Sequence, residues 1–162
     1  MAAVERVELD RHAGVVGDRW LGRPGSAGTR QVTLITEEAL LAIARFLGLA
    51  SVPPEALRRN VVVGGINLLA LRDKRVVVGS AVLDITGECH PCSRMEEILG
   101  AGGYNAVRGQ GGVTAKIVEP GVVCLGDAIS LVSSTCSLLS LPRAGEDRGE
   151  GASARPNLGI PR

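Results

Sequence analysis

Apolar and polar residues alternate in short runs along most of the chain, and one longer stretch repeats with a helical period. That contrast predicts many short strands and few helices. In residues 4–9, Val7 and Leu9 fall on one face and Arg6 and Glu8 on the other, which predicts a half-buried first strand. A glycine-rich polar stretch over 14–28 reads as loop. Residues 30–35 alternate again and are rich in β-branched side chains, so a second strand is expected to end at Thr36. Thr36 then suits an N-cap, Glu37 and Glu38 suit the positive end of a helix, Leu40, Ile43, Ala44 and Leu47 form one stripe, and Gly48 supplies the stop.

After Pro53 and Pro54 a short helical turn is expected over 55–58, followed by a strand at Val61, Val62 and Val63. Residues 67–71 are short and apolar. Asp73-Lys74 marks a turn, after which 75–78 and 80–86 read as a strand pair or one bent strand interrupted at Gly79. Residues 93–99 predict a short helix with Met95, Ile98 and Leu99 inward, closed by Gly100. The stretch 100–112 reads as loose chain, 113–118 as a strand, and 122–125 with 128–132 as a final pair around Gly126-Asp127. Many short strands and one substantial helix favour a mainly β protein with few helices (α+β), built as a closed or nearly closed barrel rather than a parallel doubly wound sheet. A single domain over residues 1–141 is expected, with 133–141 apolar enough to pack once more. The unpatterned Gly, Pro, Arg and Glu of 142–162 predict a disordered tail.

Composition narrows the function classes. The 18 Lys and Arg nearly cancel the 17 Asp and Glu, leaving +1, so no bulk charge favours nucleic acid or a membrane surface. One Phe, one Tyr and one Trp cannot build a base-stacking platform. Without a leader-like start or a long apolar run, a soluble cytoplasmic protein is expected. Four cysteines, Cys89, Cys92, Cys124 and Cys136, are too few and too bunched for a secreted disulfide framework and read as thiols in a reducing compartment.

The reactive side chains concentrate in Glu88-Cys89-His90-Pro91-Cys92-Ser93-Arg94, where a predicted strand gives way to a short helix. Free N–H groups at that helix start, with Arg94, would favour the thiolate of Cys92, able to ligate a soft metal, attack a disulfide or carry a sulfane sulfur. The alternative is a pair of small buried hydrophobes. Cys89-x-x-Cys92 is also half of a zinc site or a thioredoxin-like pair, but no second ligand pair and no βαβ setting accompany it in this reading. A basic cluster, Arg58-Arg59-Asn60, precedes one predicted strand, and Arg30 precedes another. If those strand starts converge, they make a fork-donor site for phosphate or carboxylate, and otherwise each is a solvated charge. Gly111 and Gly112 would let backbone approach a ligand closely, or serve an ordinary turn.

Taken in order, Gly17-Asp18-Arg19-Trp20, Arg30 to Ile35, Arg58-Arg59-Asn60-Val61-Val62-Val63, Gly64-Gly65-Ile66-Asn67-Leu68, Gly79 to Leu83, Pro91-Cys92 and Arg108-Gly109-Gln110-Gly111-Gly112-Val113 resemble the MOSC domain, found at the C-terminus of molybdenum cofactor sulfurases. The resemblance covers about 14–132 and lies in order and spacing rather than in any one motif. It implies a bent β-barrel and a site for the molybdenum cofactor (molybdopterin) or for cysteine-bound sulfur, with pyridoxal phosphate not bound. The family's characteristic cysteine matches Cys92, as molybdenum ligand or sulfur carrier, while Cys89 looks like a subgroup feature. Arg30, Arg58, Arg59 and Asn60 would hold the cofactor phosphate, with Gly111 and Gly112 beside it. Many members carry His at the positions of Trp20 and Gln110, so imidazole chemistry at those places is not implied here. One function so implied is a molybdenum-dependent oxidoreductase for small, including N-hydroxylated, substrates. It would need a separate electron donor protein, since no flavin, haem or iron–sulfur signature occurs. The other is a module delivering the cofactor, or passing sulfur from a Cys92 persulfide to an acceptor.

Overall fold

The computed structural model describes residues 4–18 and 28–132. The expected packing of 133–141, the expected tail at 142–162, and Arg19, Trp20 and Cys136 lie outside the described residues. Nine strands and three α-helices follow in the order β1 Arg6–Asp10, β2 Gly14–Val15, β3 Val32–Thr36, α1 Glu37–Phe46, β4 Val61–Val63, β5 Arg75–Val78, β6 Ala81–Glu88, α2 Arg94–Leu99, α3 Gly103–Val107, β7 Val113–Glu119, β8 Gly121–Cys124 and β9 Ile129–Leu131 among the described residues. A 3₁₀ turn at Leu68–Leu71 is started by Asn67, whose side chain accepts from the Leu69 N–H at 3.1 Å.

Six strands form one sheet in the order β4-β3-β7-β6-β5-β9, and three form another in the order β2-β1-β8. The large sheet is a curled half-barrel. Its bend has a local cause: the β6·β7 ladder slips between Val82 and Leu83 and again between Ile85 and Gly87. Each extra residue kinks the strand and strengthens its twist. At the second slip the Thr86 hydroxyl bonds the Thr114 hydroxyl at 3.0 Å and the Thr29 carbonyl. Leu9, Val15 and Val123 of the small sheet close over Leu34, Val76, Leu83, Ile85, Val113 and Ile117 of the large one, giving a core of aliphatic side chains. Buried Gln31 joins the two sheets: its amide donates to the Arg11 carbonyl at 2.5 Å and accepts from the Ile117 N–H at 2.8 Å.

The period of two places Leu34 inside the barrel and Ile35 on its outer surface, where a second core of Ile43, Ala44, Val52, Leu57, Met95, Ala106 and Val107 packs against it. The α1 helix starts where the sequence predicts, with the Thr36 hydroxyl accepting from the Ala39 N–H at 3.0 Å. It crosses back to β4, which lies parallel to β3, so the chain does contain one βαβ unit. The thiols stand outside it, after β6, whose neighbour β7 is antiparallel.

Four expectations change. The loop over 14–28 begins with a two-residue strand on β1. Residues 100–112 include α3, whose start is held by a distant carboxylate: Glu96 accepts from the Gly102 N–H at 2.7 Å and the Tyr104 N–H at 2.8 Å. Ile98 faces solvent, because α2 has too few turns to bury more than Met95 and part of Leu99. Finally, β8 and β9 do not pair with each other. They part at Gly126, β8 joining β1 and β9 joining β5, so this segment stitches the sheets together.

Candidate functional site

β6 delivers Cys89 to the end of β3 where α1 begins. The Cys89 N–H donates to the Gly112 carbonyl at 2.9 Å, extending the β6·β7 ladder by one bond. Pro91 then leads to Cys92, whose carbonyl accepts from the Met95 N–H at 2.9 Å and starts α2. Cys92 is exposed and Cys89 half-buried. Cys92 precedes the N-cap Ser93, and α2 is only 6 residues long, so few peptide dipoles sum at this end. His90, largely exposed, has its Nδ1 4.0 Å from a Glu88 oxygen.

Besides the exposed Arg94, a buried positive charge, Arg59, stands near the thiols. Only 9% exposed, it donates from Nε to the Gly111 carbonyl at 2.6 Å and from Nη1 to the Leu57 carbonyl. Burial pushes its guanidinium below the ordinary arginine range, and the nearby Cys89 and Cys92 sulfurs push it back up. No carboxylate forms an ion pair with it among the described residues.

Gly111 and Gly112 must be glycine for reasons of packing. A Cβ on Gly111 would stand 2.0 Å from the Cys89 carbonyl oxygen, and one on Gly112 would stand 2.0 Å from that of Leu34. Gly112 also has φ +80°, a conformation that resists any side chain. The close approach at both positions is therefore of chain to chain. It brings β3, β6 and β7 together around the Arg59 head group.

The other basic positions separate from this contact. Asn60 is engaged inside the protein: its oxygen accepts from the Thr33 N–H at 3.1 Å and the Thr33 hydroxyl at 2.8 Å, and its amide donates to Asp18 at 2.9 Å. Arg58, with φ 57°, is exposed, so consecutive arginines differ in burial where the chain enters β4. Arg30 is exposed before β3, four residues from the Leu34 carbonyl that Gly112 abuts, a separation of roughly 13 Å along an extended chain. The structure thus brings together Cys89, Cys92, Arg59, Gly111 and Gly112, and leaves Arg30 and Arg58 exposed near the start of β3, where Asn60 bonds Thr33.

A cleft of about 570 Å³ opens between the first turns of α1, residues 65–69 and residues 109–112, lined among others by Thr36, Glu38, Gly65, Asn67, Gln110 and Gly112. Glu38 accepts from the Gly65 N–H at 2.8 Å, which holds its carboxyl below the usual carboxylate range. The sequence marked Gly112 and the segments 64–68 and 108–113, but not that they meet the start of α1, because the three segments are far apart along the chain. A larger hollow of about 720 Å³ at Thr29, Asp73, Arg75, Asp84 and Thr86 contains no thiol, and its arginine is held by Asp84 at 2.7 and 3.0 Å. Among the described residues, neither hollow is lined by a cysteine; the smaller one adjoins the thiol segment through Gly112, whose carbonyl accepts from the Cys89 N–H.

The family model described as the MOSC domain matches residues 8–130. No curated protein matches the chain. Among solved structures, the YuaD protein from Bacillus subtilis is similar with a TM-score of 0.68 and 24% identity, over 78% of this chain and 84% of that one. YiiM from Escherichia coli gives 0.61 and 18%, over 82% of this chain and 65% of that one. YiiM from Geobacillus stearothermophilus gives 0.58 and 17%, over 66% and 56%. At these identities the likeness is one of fold, and the present chain spans less than two thirds of the length of either YiiM protein.

Proposed function

The chain belongs to the MOSC domain family, and from that premise we propose that it binds the molybdenum cofactor with Cys92 as the metal's protein ligand and acts as an oxidoreductase on small substrates. The observation that carries this reading is the placement of Cys92: an accessible thiol on a strand-to-helix connection, within the field of a buried arginine and three residues from Cys89, whose N–H bonds the Gly112 carbonyl at the edge of a cleft with room for a small molecule. Soft thiolate is a suitable donor for such a metal, and the residues present fit the group.

In this reading Cys92 supplies the sulfur donor. Arg59, Gly111 and Gly112 hold the segment that carries it, and Asn60 holds the frame of β3 and β4. Arg30 and Arg58, the exposed cations, are the candidates for an anionic phosphate. The cofactor would supply two-electron redox chemistry with removal of an oxygen atom, as from an N-hydroxylated compound, while the chain orients the reactants and limits water around them. Electrons would come from a separate donor protein.

Molybdenum and pterin analysis of protein from a molybdenum-replete host tests this. The native chain and Cys89→Ser are expected to retain metal, and Cys92→Ser to lose it. Folded native protein without metal under those conditions overturns the reading. The solvent exposure of Cys92 favours one second reading, because a persulfide there is reachable by an acceptor. Cyanolysable sulfur on Cys92 in metal-free protein would select it.

A further inference from the structure

Arg59 carries a full charge in a buried position with no carboxylate opposite it among the described residues. Its hydrogen-bond acceptors are carbonyl oxygens, those of Gly111 and Leu57. Carbonyls solvate a cation but do not neutralise it, and a neutral amide such as Gln would offer such acceptors an N–H at far smaller desolvation cost. A structural role therefore accounts for the hydrogen bonds but not for the charge.

What surrounds the head group does account for it. The Cys89 carbonyl oxygen and the Arg59 Nη2 both lie within 3.4 Å of the point where a Gly111 Cβ would stand, so the guanidinium and the Cys89 backbone flank the same face of Gly111. From that contact the chain runs three residues, one of them Pro91, to Cys92. Both thiols lie within the electrostatic reach of Arg59.

We propose that Arg59 is the positioning residue of the thiol site: its buried guanidinium holds Gly111, against which the Cys89 carbonyl packs, and makes the surroundings of Cys92 electropositive. Anionic reagents and the anionic forms of sulfur are thereby drawn to Cys92 in preference to neutral ones of the same size. The proposal rests on the reading of Cys92 as the working thiol, but it does not require bound metal.

The test uses the full metal-free chain and two alkylating probes of nearly equal size, iodoacetate and iodoacetamide. In each reaction the cysteine sulfur forms a bond to carbon, the carbon–iodine bond breaks and iodide leaves. Both consume the same ionised thiol, so the ratio of their rates at Cys92, read by peptide mass spectrometry, cancels the extent of ionisation and reports local potential. The native ratio is expected to exceed that of the urea-unfolded chain by roughly five-fold at low salt, as one nearby charge would give. It should fall to the unfolded value in Arg59→Gln and recover in Arg59→Lys. A native ratio equal to the unfolded one overturns the proposal without any variant, and so does a ratio unchanged in folded Arg59→Gln. Loss of the molybdenum reading leaves this ratio untouched, so the two failures are distinguishable.

Discussion

Gly111 and Gly112 show how a single methyl group would register in this fold. Each would meet a carbonyl oxygen at 2.0 Å, and backbone has no rotamer with which to yield. Gly112→Ala adds left-handed strain to the overlap and is expected to cost about 2–4 kcal/mol, measured as a lower midpoint in urea unfolding. Cys92→Ser is the counterpart. Its side chain is exposed and supports no packing, so stability should change by less than about 0.5 kcal/mol while the metal analysis responds fully. The sequence singled out both kinds of residue. It could not say that the glycines serve contacts within the chain, because Cys89 and Leu34 are far from them in sequence.

At the scale of elements, α1 was legible because all its signals are local: Thr36 before it, acids in its first turn, a period of 3.6 through it, Gly48 beyond it. Thr36→Ala removes the hydroxyl that holds the Ala39 N–H and is expected to cost about 1 kcal/mol in the same assay. α3 shows the opposite case. Its cap is a carboxylate on another helix, and its Gly103 is required because a Cβ there would stand 2.4 Å from the Met95 carbonyl. Glu96→Ala should release both N–H groups, seen as faster amide exchange at Gly102 and Tyr104 with the β6·β7 ladder unaffected.

For the whole molecule, the carboxylates set the response to acid. Asp10, Glu38 and Glu96 are held below their ordinary values chiefly by backbone N–H donors, and Asp84 by Arg75. A depressed folded-state value means that the contribution is present above the unfolded value and is lost as pH falls through the folded one. Unfolding midpoints should therefore stay level down to the unfolded values of 4.5 for Glu and 3.8 for Asp and decline below them. The slope should be shallower in Glu38→Gln. Added salt screens the solvent-exposed Arg75–Asp84 pair, so it should reduce that pair's share of the profile and leave the share of the backbone-bonded carboxylates.

Side-chain alternation, β-branched runs and glycine punctuation determined by themselves that this chain makes short strands around an aliphatic core with one substantial helix, because those signals act within a few residues of one another. The same sequence order carried the family resemblance and drew attention to Cys92. Only the tertiary structure decided which strands are neighbours, that β8 and β9 part to join different sheets, and that α3 exists. It alone separated two adjacent arginines, turning Arg58 to solvent and Arg59 to the thiols. Burial, hydrogen-bond partners and electric field at a side chain depend on segments tens of residues away, and no local pattern encodes them.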